Sequence, residues 1–193
     1  MLINQTPYKT GRDALTYGQV KELLASFDSL EEKALIHLVI TAGLRRIDVV
    51  NIKRNDFEPE TGKLRYYEHK KRRTRQIKIP SPEAIQTITM HLNSCRKSEW
   101  LFPSPLKGKQ YKDAHISDRH AYDIFNEHLD RLKIRRRPFH SLRATCIKLC
   151  EKAGWKAEET AELVGDTVRV IQEHYCTPSE EQMGDLAKEK PIL

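Results

Sequence analysis

His140 and Arg143 stand three residues apart in the run Pro138-Phe139-His140-Ser141-Leu142-Arg143. On a helix that spacing places both side chains on one face. An imidazole beside a guanidinium fork can grip a phosphate or another oxyanion. Arg135, Arg136 and Arg137 come immediately before the pair, and a tyrosine, Tyr175, follows downstream beside His174. Arg45 and Arg46 make a second such point, just after Gly43-Leu44 at the start of an expected helix. Positive charge there opposes the helix dipole and calls for an anion nearby. A plain ion pair between Arg45 and Asp48 would answer that need, and so would a bound phosphate.

The composition agrees with an anionic partner. The chain has 193 residues, enough for one domain with a sizeable core, and a formal net charge of +7. Charged residues make up 32% and hydrophobic ones 38%, which suits a globular protein with a heavily charged surface. Basic side chains crowd at Arg45-Arg46, Lys70-Lys71-Arg72-Arg73 and Arg135-Arg136-Arg137. One such run reads as a solvated face, whereas three, each beside an element boundary, favour a binding surface for a polyanion. Cys95, Cys146, Cys150 and Cys176 form no C-x-x-C pair; Cys146 and Cys150, four apart on an expected helix, read as buried free thiols rather than a zinc site. No signal peptide and no membrane-length apolar run is present, so a reducing, cytoplasmic compartment is the simplest expectation.

Mostly helical elements must hold these groups. Residues 1–15 read as a loose lead-in. Thr16 with Gln19 forms a capping box that opens a helix through Val20, Leu23, Leu24 and Phe27, and Ser29 with Glu32 opens a second. The second carries Ala34, Leu35, Leu38 and Val39 at helical spacing and should be buried, ending at Gly43. A third helix from Leu44 should pack Ile47, Val50 and Ile52 inward. Glu58-Pro59-Glu60-Thr61-Gly62 reads as a turn, followed by a strand over Lys63–His69, a basic hairpin tip and a strand over Arg75–Ile79. Ser81-Pro82 and Ser117 open further helices, and Trp100-Leu101-Phe102-Pro103 is an apolar segment in a loop. The helix bearing His140 and Arg143 should end at Gly154. Shorter helices should cover about Ala157–Val164 and Thr167–Tyr175, with a break at Pro178 and a polar tail over 179–193. The fold class is α+β, mainly helical with one small antiparallel sheet.

In order and spacing, four boxes and a linker segment resemble the catalytic domain of the tyrosine recombinases, the phage integrase family. Thr41-Ala42-Gly43-Leu44-Arg45-Arg46-Ile47-Asp48-Val49 is similar to its G-L-R-x-x-E/D box. The hairpin ending in Ile77-Lys78-Ile79-Pro80 is similar to the family's lysine-bearing hairpin, and Leu101-Phe102-Pro103-Ser104 resembles its LFP linker. His140-Ser141-Leu142-Arg143 matches the H-x-x-R box, and Leu163-Val164-Gly165-Asp166 resembles the L-L-G-H box, nine residues before Tyr175. Together these span roughly residues 16–178, far more specific than any one motif.

The resemblance implies Arg45, Lys71, His140, Arg143 and Tyr175 as catalytic residues, with Lys70 an alternative to Lys71. It implies DNA contacts from Arg46, Arg72, Arg73, Arg135, Arg136 and Arg137, with no metal and no cofactor. Two guanidiniums would clamp the scissile phosphate while Tyr175 forms a 3′-phosphotyrosyl bond, with His140 as proton acceptor or phosphate donor and a lysine protonating the 5′ oxygen. Asp166 departs from the family's histidine or tryptophan, because an ionised carboxylate cannot donate to a phosphate. Three alternatives stand: Asp166 is protonated in place, turns away to cap the following helix, or leaves the role to His174. The implied partner is double-stranded DNA, with self-association as a tetramer at synapsis and no membrane. The implied activity is site-specific recombination by the catalytic fragment of a longer protein, its tail over 179–193 exchanged between protomers. Rival readings are a type IB topoisomerase-like relaxing enzyme and a catalytically silent DNA-binding module, the latter motivated by Asp166.

Overall fold

The computed structural model describes residues 10–95, 98–106, 108–111 and 113–175. Helix α1 (Tyr17–Ala25) starts at the expected capping box: Thr16 Oγ1 accepts the Gln19 N–H at 3.2 Å, and Gln19 Oε1 accepts the Thr16 N–H at 3.0 Å. Helix α2 (Leu30–Ala42) follows Ser29 and stops at Gly43, whose φ of 63° is left-handed. A Cβ at Gly43 would stand 2.6 Å from Val164 Cγ1, so the close approach of another element also requires glycine there. Leu35, Ile36, Leu38 and Val39 of α2 are all fully buried, which makes it a helix apolar on every side and the centre of the core. Helices α4 (Pro82–Ser94) and α6 (His140–Lys152) pack on it.

The sheet has three antiparallel strands in the order β1 (Phe57–Glu58), β2 (Lys63–Glu68), β3 (Arg73–Lys78). Leu64 faces Ile77 and Tyr66 faces Arg75 across the expected hairpin. The short β1 is an addition: the turn after Glu58 folds Phe57 back onto Leu64, a pairing that two residues cannot announce locally. Alternation buries Leu64, Tyr66 and Glu68 of β2 with Arg75 and Ile77 of β3, leaving Tyr67 outside. The inner face of the hairpin therefore carries a carboxylate and a guanidinium as well as apolar groups.

The remaining helices are α3 (Arg46–Val50), α5 (Asp118–Arg131), α7 (Ala157–Val164) and α8 (Val168–His174). Leu101 and Phe102 plug the core, tied down by Leu101 N–H to the Ile52 carbonyl at 2.9 Å and Ile116 N–H to the Phe102 carbonyl at 2.8 Å. Cys146 and Cys150 are buried free thiols, as expected.

Two expectations need correction. Ile47 is 42% exposed rather than packed inward, because the five-residue α3 turns Asp48, Val49 and Val50 to the interior. Residues 10–15 are not a loose lead-in. A 3-10 turn at Thr10–Asp13 packs on α6, and the Leu15 N–H reaches Thr145 Oγ1 at 2.8 Å. The tail over 179–193 and Cys176 lie outside the described residues.

One buried titratable group sets a pH dependence for the whole fold. His37, inside α2 with Nδ1 3.3 Å from Thr87 Oγ1, is pushed down to about 4 by burial and by the nearby charge of Lys33. The unfolded chain, with an ordinary imidazole near 6.5, therefore binds the proton more readily. Stability from this group is present above about pH 6.5 and is lost as pH falls towards 4. Urea denaturation at pH 7.5 and pH 5 should show wild type losing about 2 kcal/mol more than His37→Gln.

Candidate active site

Segments distant in sequence meet where α2 ends and α6 begins. Arg143 lies one turn into α6 with its side chain only 2% exposed. Its Nη1 donates to the Gly43 carbonyl at 2.6 Å, one of the carbonyls that the end of α2 leaves without a helical partner. Two residues beyond Gly43, Arg45 has extended backbone at the N-cap of α3 and donates from Nη1 to Glu68 Oε1 at 2.7 Å. Asp48 Oδ2 stands farther off, at 4.0 Å. Asp48 is instead committed to the hairpin, where Oδ1 accepts the His69 backbone N–H at 3.0 Å.

The hairpin tip is a 3-10 turn over His69–Lys71, closed by Arg72 at a left-handed φ of 50°. From it Lys71 Nζ donates to the Gly165 carbonyl at 2.9 Å. Lys70 is exposed, yet its charge is felt at His140. Arg75, buried on β3, donates from Nη1 to Tyr66 Oη at 2.8 Å and to the Leu163 carbonyl at 3.3 Å, and from Nη2 to the Glu162 carbonyl. It thereby caps the end of α7 and holds the corner at Gly165, whose φ is 72°.

Tyr175 follows α8 and is buried, with its phenol oxygen 3.1 Å from His140 Nε2. His140 opens α6 at the edge of the cluster. The residue is exposed at this edge, yet desolvation by the surrounding protein, followed by the charges of Arg143 and Arg45, lowers its imidazole below the ordinary 6.5. The ring is thus neutral at pH 7, and with the proton on Nδ1 its Nε2 accepts from the phenol. A phenol facing a neutral imidazole, with two guanidiniums and a lysine around it, is suited to nucleophilic attack on a phosphodiester.

Comparison with known proteins gives the family and the fold. The family model described as "Phage integrase family" matches residues 13–181. The chain belongs to the phage integrase family.

Among solved structures, XerA recombinase superposes with a TM-score of 0.79 at 14% identity, over 98% of this chain and 66% of that one. XerH site-specific recombinase, bound to its difH substrate in a pre-cleavage complex, gives 0.70 at 16% identity over 97% and 56%. Lambda integrase, a tetramer bound to a Holliday junction, gives 0.64 at 17% over 80% and 46%. At such identities the likeness fixes the fold, and this integrase-family chain spans 66% of the first of these proteins and 56% of the second. Comparison with proteins of curated function gives no match.

Against the family's pattern, Asp166 is neither protonated in place nor turned away to cap the following helix. Its Oδ2 accepts from Arg143 Nη2 at 2.8 Å. Burial works to raise its carboxyl, but that hydrogen bond and the charges of Arg143, Arg45 and Lys71 override it and hold the group below the usual carboxylate range. Asp166 is therefore ionised, not protonated in place. Capping of α8 falls to Thr167, which accepts the Val170 N–H at 3.3 Å. His174 stands beside Tyr175, ring centroids 6.5 Å apart.

The arginines expected on a DNA surface divide. Arg46 pairs with Asp118 at 2.6 Å, Arg136 with Asp130 at 2.5 Å and Arg73 with Glu68 at 2.9 Å, each arginine partly exposed. Arg72 and Arg135 are exposed. Arg137 instead turns inward, donating to the Asp13 carbonyl at 2.6 Å and the Ala14 carbonyl at 2.7 Å in the turn ahead of α1. An open groove of about 700 Å³ runs beside Arg45 and His140, lined also by Arg46, Ile47, Tyr122 and Arg136.

Sequence reasoning missed Glu68 and Arg75. Strand alternation was the available signal, since each shares the inward parity of its apolar neighbours. Among the described residues no group of three or more His, Cys, Asp or Glu gathers as a metal site.

The Arg143–Asp166 pair yields a direct test. A carboxylate on Nη2 competes with any oxyanion, so Asp166→Asn should tighten binding of inorganic vanadate about fivefold or more, measured by titration calorimetry. Weaker binding would mean that Asp166 aids the oxyanion by holding Arg143 in place.

Proposed function

We propose that this chain breaks and rejoins DNA strands at specific sites through a 3′-phosphotyrosyl intermediate, as the catalytic part of a site-specific recombinase. The observation that carries the reading is the Tyr175 phenol 3.1 Å from His140 Nε2, in a cluster where the charges of Arg143, Arg45 and Lys70 all bear on the imidazole.

In this reading a backbone phosphate enters from the groove and is clamped by Arg45 and Arg143. The Tyr175 oxygen attacks phosphorus as His140 Nε2 takes the phenol proton, and the phosphorus–5′ oxygen bond breaks. Lys71, released from the Gly165 carbonyl, protonates the departing 5′ oxygen; Lys70 is the alternative donor from the same tip. The added charge on the non-bridging oxygens is met by guanidinium donors already in place. The phosphotyrosyl bond retains the phosphodiester's energy, so a 5′ hydroxyl can reverse the step with no ATP and no metal. The exposed basic groups Arg46, Arg72, Arg73, Arg135 and Arg136 supply phosphate contacts along the duplex. Double-stranded DNA is the partner, and the structural likeness to a tetramer on a Holliday junction supports self-association at synapsis. Among the described residues no helix is long and apolar enough to cross a membrane, and a DNA-associated, cytoplasmic protein fits that reading.

One observation favours a second reading. Asp166 on Arg143 leaves one clamp partly charge-compensated, as in a DNA-binding module whose chemistry is impaired. A nicked suicide substrate separates the two. The enzyme reading expects a covalent protein–DNA adduct, absent in Tyr175→Phe, whereas specific binding without adduct supports the module. The acid limb of the adduct-rate profile should have its midpoint below 6.5, because His140 stays neutral to lower pH than an ordinary histidine. A midpoint above 6.5 would remove His140 as the proton acceptor.

A further inference from the structure

Glu68 ends β2 and is completely buried. An ionised carboxylate in that setting is costly unless it is fully paired. It is paired twice: Oε1 accepts from Arg45 Nη1 at 2.7 Å, and Oε2 accepts from Arg73 Nε at 2.9 Å. Burial works to raise its carboxyl, and the hydrogen bonds from Arg73 and Arg45 with the charge of Lys71 hold it below the ordinary range. Its Oε1 would also lie 3.3 Å from a Cβ at Gly165, the residue whose carbonyl holds Lys71.

Local structure alone does not orient Arg45. It is the N-cap of α3, makes no side-chain cap hydrogen bond, and places positive charge at a helix start. Asp48, the acidic residue nearest in sequence, gives its Oδ1 to the hairpin backbone and keeps its Oδ2 4.0 Å from the guanidinium. The close anion on Arg45 is Glu68, and the same carboxylate ties down Arg73 where β3 leaves the lysine-bearing tip.

We infer that Glu68 is a positioning residue for strand cleavage. It fixes the Arg45 guanidinium for the scissile phosphate and, through Arg73, the root of the hairpin that delivers Lys71. This rests on the recombinase reading above. A carboxylate that only balanced buried charge would affect stability and leave cleavage by the folded protein unchanged. A positioning carboxylate controls the cleavage step itself, because displacement of a catalytic group by about 1 Å can cost up to about a hundredfold in rate.

The test uses the full chain with saturating protein and a nicked suicide DNA, comparing single-turnover adduct rates of wild type, Glu68→Gln and Glu68→Asp. Both variants should lose about 10- to 100-fold in rate while DNA affinity stays within about twofold. If Glu68→Gln fails to fold, Glu68→Asp carries the measurement, since it keeps the charge and draws the oxygens back from Arg45. A second readout needs no catalysis: at low temperature the Nη protons of Arg45 should give separate NMR signals in wild type and averaged ones in the variants. Undiminished adduct rates in a folded variant, or Arg45 signals indifferent to residue 68, would overturn the inference. Absence of adduct from wild type would overturn the recombinase reading instead, and the NMR signals would still decide whether Glu68 restrains Arg45.

Discussion

The buried guanidinium of Arg143 is the constraint around which the molecule closes. It is the largest of the fully buried side chains, and removing such a group from water is costly unless its donors are met. Gly43 at the end of α2 meets Nη1 and Asp166 beyond α7 meets Nη2, while the buried Nε has no partner among the described residues. The first turn of α6 is thereby fixed to two other segments, and His140, on that same turn, is fixed with it. The fold is held at this point by donors that the proposed chemistry also needs. Such sharing explains how the cluster can be assembled before any DNA arrives.

Anions beneath the cations make the assembly feasible. Arg45, Arg73 and Arg143 would repel one another in a partly dry cleft, and Lys71 would add to the repulsion. Glu68 and Asp166 offset that charge from different depths, the first wholly enclosed and the second 18% exposed. The enclosed carboxylate forms part of the permanent frame. The more accessible one occupies the edge of Arg143 that a phosphate would approach, so one guanidinium is framed while the other is contested.

Much of this was readable from local chemistry. Thr16, Ser29, Ser81 and Ser117 each cap the helix they were expected to open, because a side-chain oxygen two or three residues before a free N–H is a local arrangement. Residues distant in sequence meet in pairs at one cluster: Gly43 with Arg143, Arg143 with Asp166, Lys71 with Gly165 and His140 with Tyr175. What escaped was set by partners distant in sequence. Arg137 looked like part of a basic run, yet the carbonyls of Asp13 and Ala14 draw it inward. Ile47 shared the helical spacing of a core residue, but α3 is too short to bury it. Glu68 sat in a strand read for its tyrosines, and only the juxtaposition of α3 with the hairpin gives its charge a role. Asp166 was seen as a departure without its partner, since Arg143 lies 23 residues away.

The turn ahead of α1 has a mechanical implication. A Cβ at Gly11 would stand 3.1 Å from the His174 carbonyl oxygen and 3.3 Å from the Tyr175 Cα, so this turn lies directly behind the main chain that bears the phenol. Arg137 clips the same turn to the loop leading into α6. A pull on the polypeptide upstream of α1 would travel through that brace to the tyrosine's own backbone, making the reach of its oxygen sensitive to tension as well as to charge.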